Sequence, residues 1–183
     1  MLIALGQAVS RSKQFLADKR GIAAIEFALI APIMVAFYLI TVEFQDYFTV
    51  DRKLTALTSA LGDVISQDDI VTNAEMSDVM TAIATMMTPY NTSALKMRIS
   101  QVDVDNSGKT KVAWSDAKNM SALPKGSSYA LPAKLQVKNT SYVISESRFS
   151  YKSVIGYVLK NGITLDRIFY IQPRYVEKIQ RTS

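Results

Sequence analysis

Glu26 is the only charged side chain in an otherwise apolar run, Ile22–Val42, which reads IAAIEFALIAPIMVAFYLITV. A carboxylate placed in hydrocarbon costs a few kcal/mol, so such a residue generally serves a purpose. One turn from the end of the run, it could also simply reach the interface. Gly21 stands five residues before it, directly after Lys19-Arg20. Other chemistry is scarce. The chain of 183 residues has no cysteine and no histidine. That removes thiol nucleophiles, disulfides, Cys/His zinc sites and histidine acid–base catalysis together. No GxSxG, P-loop or HExxH pattern occurs. The adjacent Asp68 and Asp69 fall where a helix is expected to end, and solvation accounts for them. Asp103, Asp105, Ser107 and Gly108 follow the opening of a calcium loop, but Trp114 occupies the place of its closing acid, so a hairpin turn is expected instead. The expectation is a protein that is not an enzyme, with no metal, no cofactor and no small-molecule substrate.

The element that must position Glu26 is a membrane span. The run is about the 20 residues a helix needs to cross a bilayer. Lys19 and Arg20 precede it, and Glu43 and Asp46 follow it. The positive-inside rule then puts the N-terminus in the cytoplasm and the rest of the chain outside. A cleaved secretory signal would have a shorter core and a small-residue cleavage site after it; here Thr-Val-Glu-Phe-Gln-Asp-Tyr-Phe follows. Pro32 lies mid-span, where it removes a backbone hydrogen bond and favours a kink. Net charge is +5, and residues 1–21 hold a net three of it through Arg11, Lys13, Lys19 and Arg20 against Asp18. The remainder carries no basic stripe, so nucleic acid is not an expected partner.

Beyond the span the helix continues. Tyr47, Val50, Leu54, Leu57, Leu61 and Val64 keep a three-and-four spacing, and the helix should fade at Gln67-Asp68-Asp69. Asn73 is placed to cap a second helix in which Met76, Val79, Met80, Ile83, Met86 and Met87 line one side, ending at Pro89. The methionines are read as flexible core filling. Then the period becomes two. Leu95, Met97 and Ile99 alternate with polar residues, and the phase shifts at Gln101 to Val102 and Val104, which predicts a bulge or twist. Asn106-Ser107-Gly108 is a turn and Val112–Trp114 the returning strand. Residues 116–133 read as loop, Leu135–Val137 as a short strand, Tyr142–Tyr151 as a long one, and Tyr157–Leu159 as irregular. Asn161-Gly162 signals a turn before a last strand, Ile163–Gln172, with Ile163, Leu165, Phe169 and Ile171 on one face. The polar tail from Arg174 should be loose or a short helical turn. The expected class is α+β, a long helix and a shorter one with an antiparallel sheet of four or five strands.

Basic residues, glycine, four residues, then Glu-Phe and an apolar run resemble a type IV prepilin. Arg20-Gly21-Ile22-Ala23-Ala24-Ile25-Glu26-Phe27-Ala28-Leu29 with Pro32 resembles in particular the opening of the TadE family of the tight-adherence (Tad/Flp) pilus. Trp114-Ser115, Leu131-Pro132, Val143–Tyr151 and Ile171-Gln172-Pro173-Arg174 resemble later parts of that family, with Gln172 where an arginine is usual. The resemblance implies a pilin-like fold and a chain in three parts: a cytoplasmic leader over 1–21, a transmembrane segment over 22–42 and an exported, periplasmic domain over 43–183. It implies a prepilin peptidase cutting between Gly21 and Ile22, with Glu26 and Phe27 serving recognition and assembly. The partners implied are the peptidase, other pilins or pseudopilins, and the inner membrane. The freed amine of a mature chain, its own or a neighbour's, would pair with Glu26, since a buried ammonium and carboxylate are tolerable only together. The alternative is an uncleaved single-span anchor carrying a scaffolding or sensory domain.

Overall fold

The first helix, α1, is continuous over Arg20–Ser66 and runs through Pro32. The computed structural model describes residues 20–153, 155–156 and 158–182; the leader up to Lys19 and the expectation for Tyr157 lie outside the described residues. The chain divides into two compact units, Met1–Val42 and Glu43–Ser183.

In the first unit, no residue from Gly21 to Val42 is buried. Phe27, Leu29, Phe37 and Tyr38 are each more than two-thirds exposed to solvent. This part of α1 is long and apolar enough to cross a membrane, which fits a single-pass membrane protein.

In the second unit, the remainder of α1 carries the core stripe. Val50, Leu54, Leu57, Leu61 and Ile65 are fully buried. Ile65 replaces the expected Val64, which is exposed. Three helical turns from Leu54 fall at Ile65, so the stripe drifts onto it. After α1 come a two-residue strand β1 (Ile70–Val71) and helix α2 (Asn73–Ala84). The cap of α2 is Thr72, not Asn73. The Thr72 hydroxyl accepts from the Glu75 amide, and the Glu75 carboxylate accepts from the Thr72 amide, a reciprocal box that satisfies two otherwise orphaned donors. Met76, Met80, Ile83 and Met87 are buried as core filling, while Met86 is exposed.

The sheet consists of β2 (Leu95–Val104), β3 (Thr110–Lys118), β4 (Thr140–Tyr151) and β5 (Ile163–Ile171), all antiparallel in the order β3-β2-β4-β5. Leu95, Met97 and Ile99 face the helix side and join its core. Val102 and Val104 join a second cluster with Val112, Leu131, Tyr142 and Ile144. The phase shift in β2 therefore marks a change of buried face. The pairing of β2 with β4 runs without interruption, and the register shift lies against β3, where Gln101 pairs Trp114 and Val102 pairs Val112. The extra residue is Ala113 of β3. Val102 and Val104 are buried because the connection between β3 and β4 supplies Leu131, Leu123 and Leu135 as a cover for that face.

The helix and the sheet meet across small residues. A Cβ on Gly62 would come 3.2 Å from both the Phe169 ring and the Ser145 hydroxyl. Beside it, Ser145 donates to the Thr58 carbonyl, and the Thr58 and Ser147 hydroxyls bond to each other. All three polar side chains are buried and paired, as buried hydroxyls must be.

Two further expectations are corrected. The strand expected at Leu135–Val137 is a 3-10 turn, Ala133–Leu135, following Pro132, whose fixed φ favours such a turn. The tail is not loose. It returns across the domain as β6 (Gln180–Arg181), pairing in parallel with β1. Ile179 enters the core at 2 % exposure. The Ile179 amide donates to Gln101 Oε1 at 2.9 Å, and Trp114 Nε1 donates to the Ile179 carbonyl at 3.1 Å. Arg181 forks onto both oxygens of Asp116, at 2.8 and 2.9 Å. A polar-looking tail is held because alternate residues meet specific partners on β2, β3 and α2.

Candidate functional site

All five residues singled out in the sequence lie on the first half of α1, and all five are exposed. Gly21 is one residue inside the start of the described helix. A Cβ there would meet nothing within 4 Å among the described residues, and glycine in a helix costs about 1 kcal/mol relative to alanine. Packing among the described residues therefore gives no reason for glycine at this position. Ile22 and Glu26 are four residues apart, so they share one helical face with a separation along the axis of about 6 Å. A positive group at residue 22 and the carboxylate at 26 are thus within reach of one another. Phe27 is 70 % exposed. Pro32 has no amide to offer the carbonyl of Ala28.

A second set of polar residues on α1 has a different character. Glu43 and Asp46 served in the sequence only as the acidic flank that orients the span. Glu43 is 1 % exposed. Its carboxylate accepts the backbone amides of Val158 at 2.8 Å and Leu159 at 2.9 Å, on the connection between β4 and β5. Asp46 accepts the Tyr151 hydroxyl at 2.7 Å and that of Tyr90 on its other oxygen. Burial, aided by the bond to Asp46, pushes the Tyr151 hydroxyl up to about 12; the same causes push Tyr90 above the ordinary tyrosine range. Further along, Asp51 pairs with Arg167 of β5, and Asp63 pairs with Arg174. The Arg174 amide donates to the Ser66 carbonyl at 2.9 Å, which satisfies one of the orphan acceptors at the C-terminal end of α1. These carboxylates fasten the sheet, its connections and the tail to the helix. A signal for two of them was present: Glu43 and Asp46 precede Val50 and Leu54 on the same three-and-four spacing, so they continue the buried stripe.

A surface cavity of about 570 Å³ is lined in part by Asp103, Asp105, Lys109, Lys111, Glu177 and Lys178. Asp103 and Asp105 are engaged. Asp105 accepts the amides of Ser107 and Lys109 within the hairpin turn, and Asp103 pairs with Lys178. Among the described residues no group of three or more acidic side chains is placed to hold a metal ion.

No curated protein and no solved structure matches the chain. Residues 21–60, which hold Gly21, Glu26, Pro32 and the helix as far as its packing against the sheet, match the family described as TadE-like protein, so that stretch is similar to this family.

Proposed function

We propose that this chain is a pilin-like component required to assemble a Tad/Flp-type pilus. In this reading the N-terminus is cytoplasmic, residues 22–42 span the inner membrane and residues 43–183 form the periplasmic domain. A prepilin peptidase cuts after Gly21, and the mature chain begins at Ile22. Glu26 then meets the freed amine of this or a neighbouring subunit, so the pair crosses the apolar layer as a neutral unit. Other pilins of the same system are its partners, engaged through the exposed half of α1.

The observation that carries this reading is Gly21. Glycine weakens a helix, and nothing among the described residues packs against the position. A requirement imposed by an outside agent explains it, and a protease that must hold an extended backbone is such an agent. The four-residue interval from Ile22 to Glu26 supplies the second half of the argument, because it puts amine and carboxylate on one face.

The test is the mass and N-terminal sequence of the protein purified from cells with and without the peptidase. A start at Ile22 only when the peptidase is present supports the reading. A start at Met1 in both overturns it and leaves an uncleaved membrane-anchored scaffold or sensor.

A further inference from the structure

We infer that the connection between β4 and β5, residues 152–162, is a membrane-docking loop that seats in the headgroup layer of anionic lipid beside the end of the span. The inference rests on the reading that Ile22–Val42 crosses the bilayer.

The loop reads Lys-Ser-Val-Ile-Gly-Tyr-Val-Leu-Lys-Asn-Gly: rich in apolar residues, with Lys152 and Lys160 and no acid. Ile155 is 39 % exposed and Val158 is 45 % exposed, and both lysines are exposed. Exposed apolar side chains grouped on one surface, unlike single scattered ones, mark a contact site. Nor are the described residues around Ile155 and Val158 left free to hide them. Leu159 packs against the core, Ser153 is buried and its hydroxyl accepts the Gly156 amide, and the Val158 and Leu159 amides are held by Glu43. Gly162 has a φ of +69°, and a Cβ there would fall 2.7 Å from the Tyr151 carbonyl, so the turn that closes the loop is available only to glycine.

The anchor fixes where the exposed side chains lie. Glu43 is bonded through the chain to Val42, the last residue of the apolar run. The amide of exposed Val158 therefore sits within hydrogen-bond reach of the first residue past the span. On the helix itself, Phe44 and Phe48 are 43 % and 54 % exposed with ring centroids 6.5 Å apart, and Arg52 follows one turn later with its Nε donating to the Phe48 carbonyl. Aromatic rings next to a span, with cationic side chains just beyond, match the headgroup region of a bilayer. Apolar side chains interleaved with lysines match a surface of anionic lipid, where each cation adds about 1 kcal/mol of attraction. A lipid surface is thus the occupant that both the position and the charge of the loop fit.

The chain has no cysteine, so single cysteines can be introduced for labelling. Ile155→Cys, Val158→Cys, Ser107→Cys and Phe37→Cys variants of the full chain are labelled with a fluorophore and reconstituted in vesicles of phosphatidylethanolamine and phosphatidylglycerol, with a quencher on the lipid headgroup or the upper acyl chain. Ser107 lies in the turn at the far end of β2, beside the Thr140 end of β4; the 12-residue β4 separates the two ends by roughly 35 Å. Several-fold stronger quenching at 155 and 158 than at 107 is expected. The difference should shrink on replacing phosphatidylglycerol by phosphatidylcholine, and in the K152E/K160E background. Equal quenching at 155, 158 and 107 overturns the docking, as does quenching indifferent to lipid charge. Self-crosslinking of the Val158→Cys variant in place of lipid quenching also overturns it, in favour of a second copy of the chain. Lack of quenching at Phe37→Cys refutes the span itself, which separates failure of the docking from failure of the reading beneath it.

Discussion

Truncating Ile179 to alanine tests whether the returning tail is part of the core. The side chain is 2 % exposed and lies among buried residues of the main cluster. Alanine keeps both backbone bonds, to Gln101 and to Trp114, so the loss is confined to the removed aliphatic atoms and the cavity they leave. Ile→Ala changes at such sites cost about 2–4 kcal/mol. For a unit of this size each kcal/mol lowers Tm by roughly 3 °C, which places the expected fall at about 6–12 °C. The chain's single tryptophan is the reporter, since Trp114 is 8 % exposed and donates to the Ile179 carbonyl. Thermal unfolding of the detergent-solubilised full chain, followed by Trp emission, measures the shift. A companion variant lacking residues 178–183 removes the acceptor outright. At room temperature it should show red-shifted emission and easier quenching by acrylamide. If that truncated chain keeps the parent emission maximum, and Ile179→Ala melts within about 1 °C of the parent, the tail is not a structural strap and the reasoning fails.

Three other outcomes are expected. The Tyr151 hydroxyl titrates at about 12 in the folded protein and near 10 when unfolded. Its contribution to stability is therefore complete below pH 10 and lost as pH rises toward 12. Urea midpoints should fall across that window, and Tyr151→Phe should flatten the fall; an unchanged alkaline limb argues against the Asp46 latch. Replacing Glu43 by Ala removes the acceptor for two backbone amides and should destabilise by about 1–3 kcal/mol; exchange of the Val158 and Leu159 amides should accelerate, and unaltered protection there would sink the anchoring role. Glu26→Ala should leave membrane insertion intact, since it removes a charge from the span, yet abolish piliation. Normal pili in that strain would show that the carboxylate has no part in assembly.

Much of the architecture was legible in local pattern because helix and strand periods are local properties. The stripe from Val50 to Leu61, the alternation of β2, the long β4 and the turn at Asn161-Gly162 all follow from which residues recur on one face. The errors lie where a local signal has two outcomes. Val64 and Ile65 are adjacent apolar residues, and only the accumulated pitch from Leu54 selects the second. Thr72 and Asn73 both cap well, and Glu75 selects Thr72 by reaching back to its amide. The bulge expected from the phase change at Gln101 is present against β3; what the pattern did not carry is the cover over Val102 and Val104, which comes from Leu131, some thirty residues on.

What the amino-acid order determined by itself is the apolar helix with Gly21, Glu26 and Pro32 at set intervals, because spacing along a helix is covalent. Tertiary structure alone decided the fate of the charges. Glu43 and Asp46 looked like solvated flanks and are instead the latches for Val158, Leu159, Tyr90 and Tyr151. Arg181 looked like part of a free tail and is paired with Asp116. A polar residue is buried or solvated according to whether a partner reaches it, and here nearly every partner is supplied from forty to more than a hundred residues away. Periodicity puts Glu43 and Asp46 on the buried stripe but does not name their partners, and desolvating a charge is offset only by the hydrogen bonds that the folded chain brings to it.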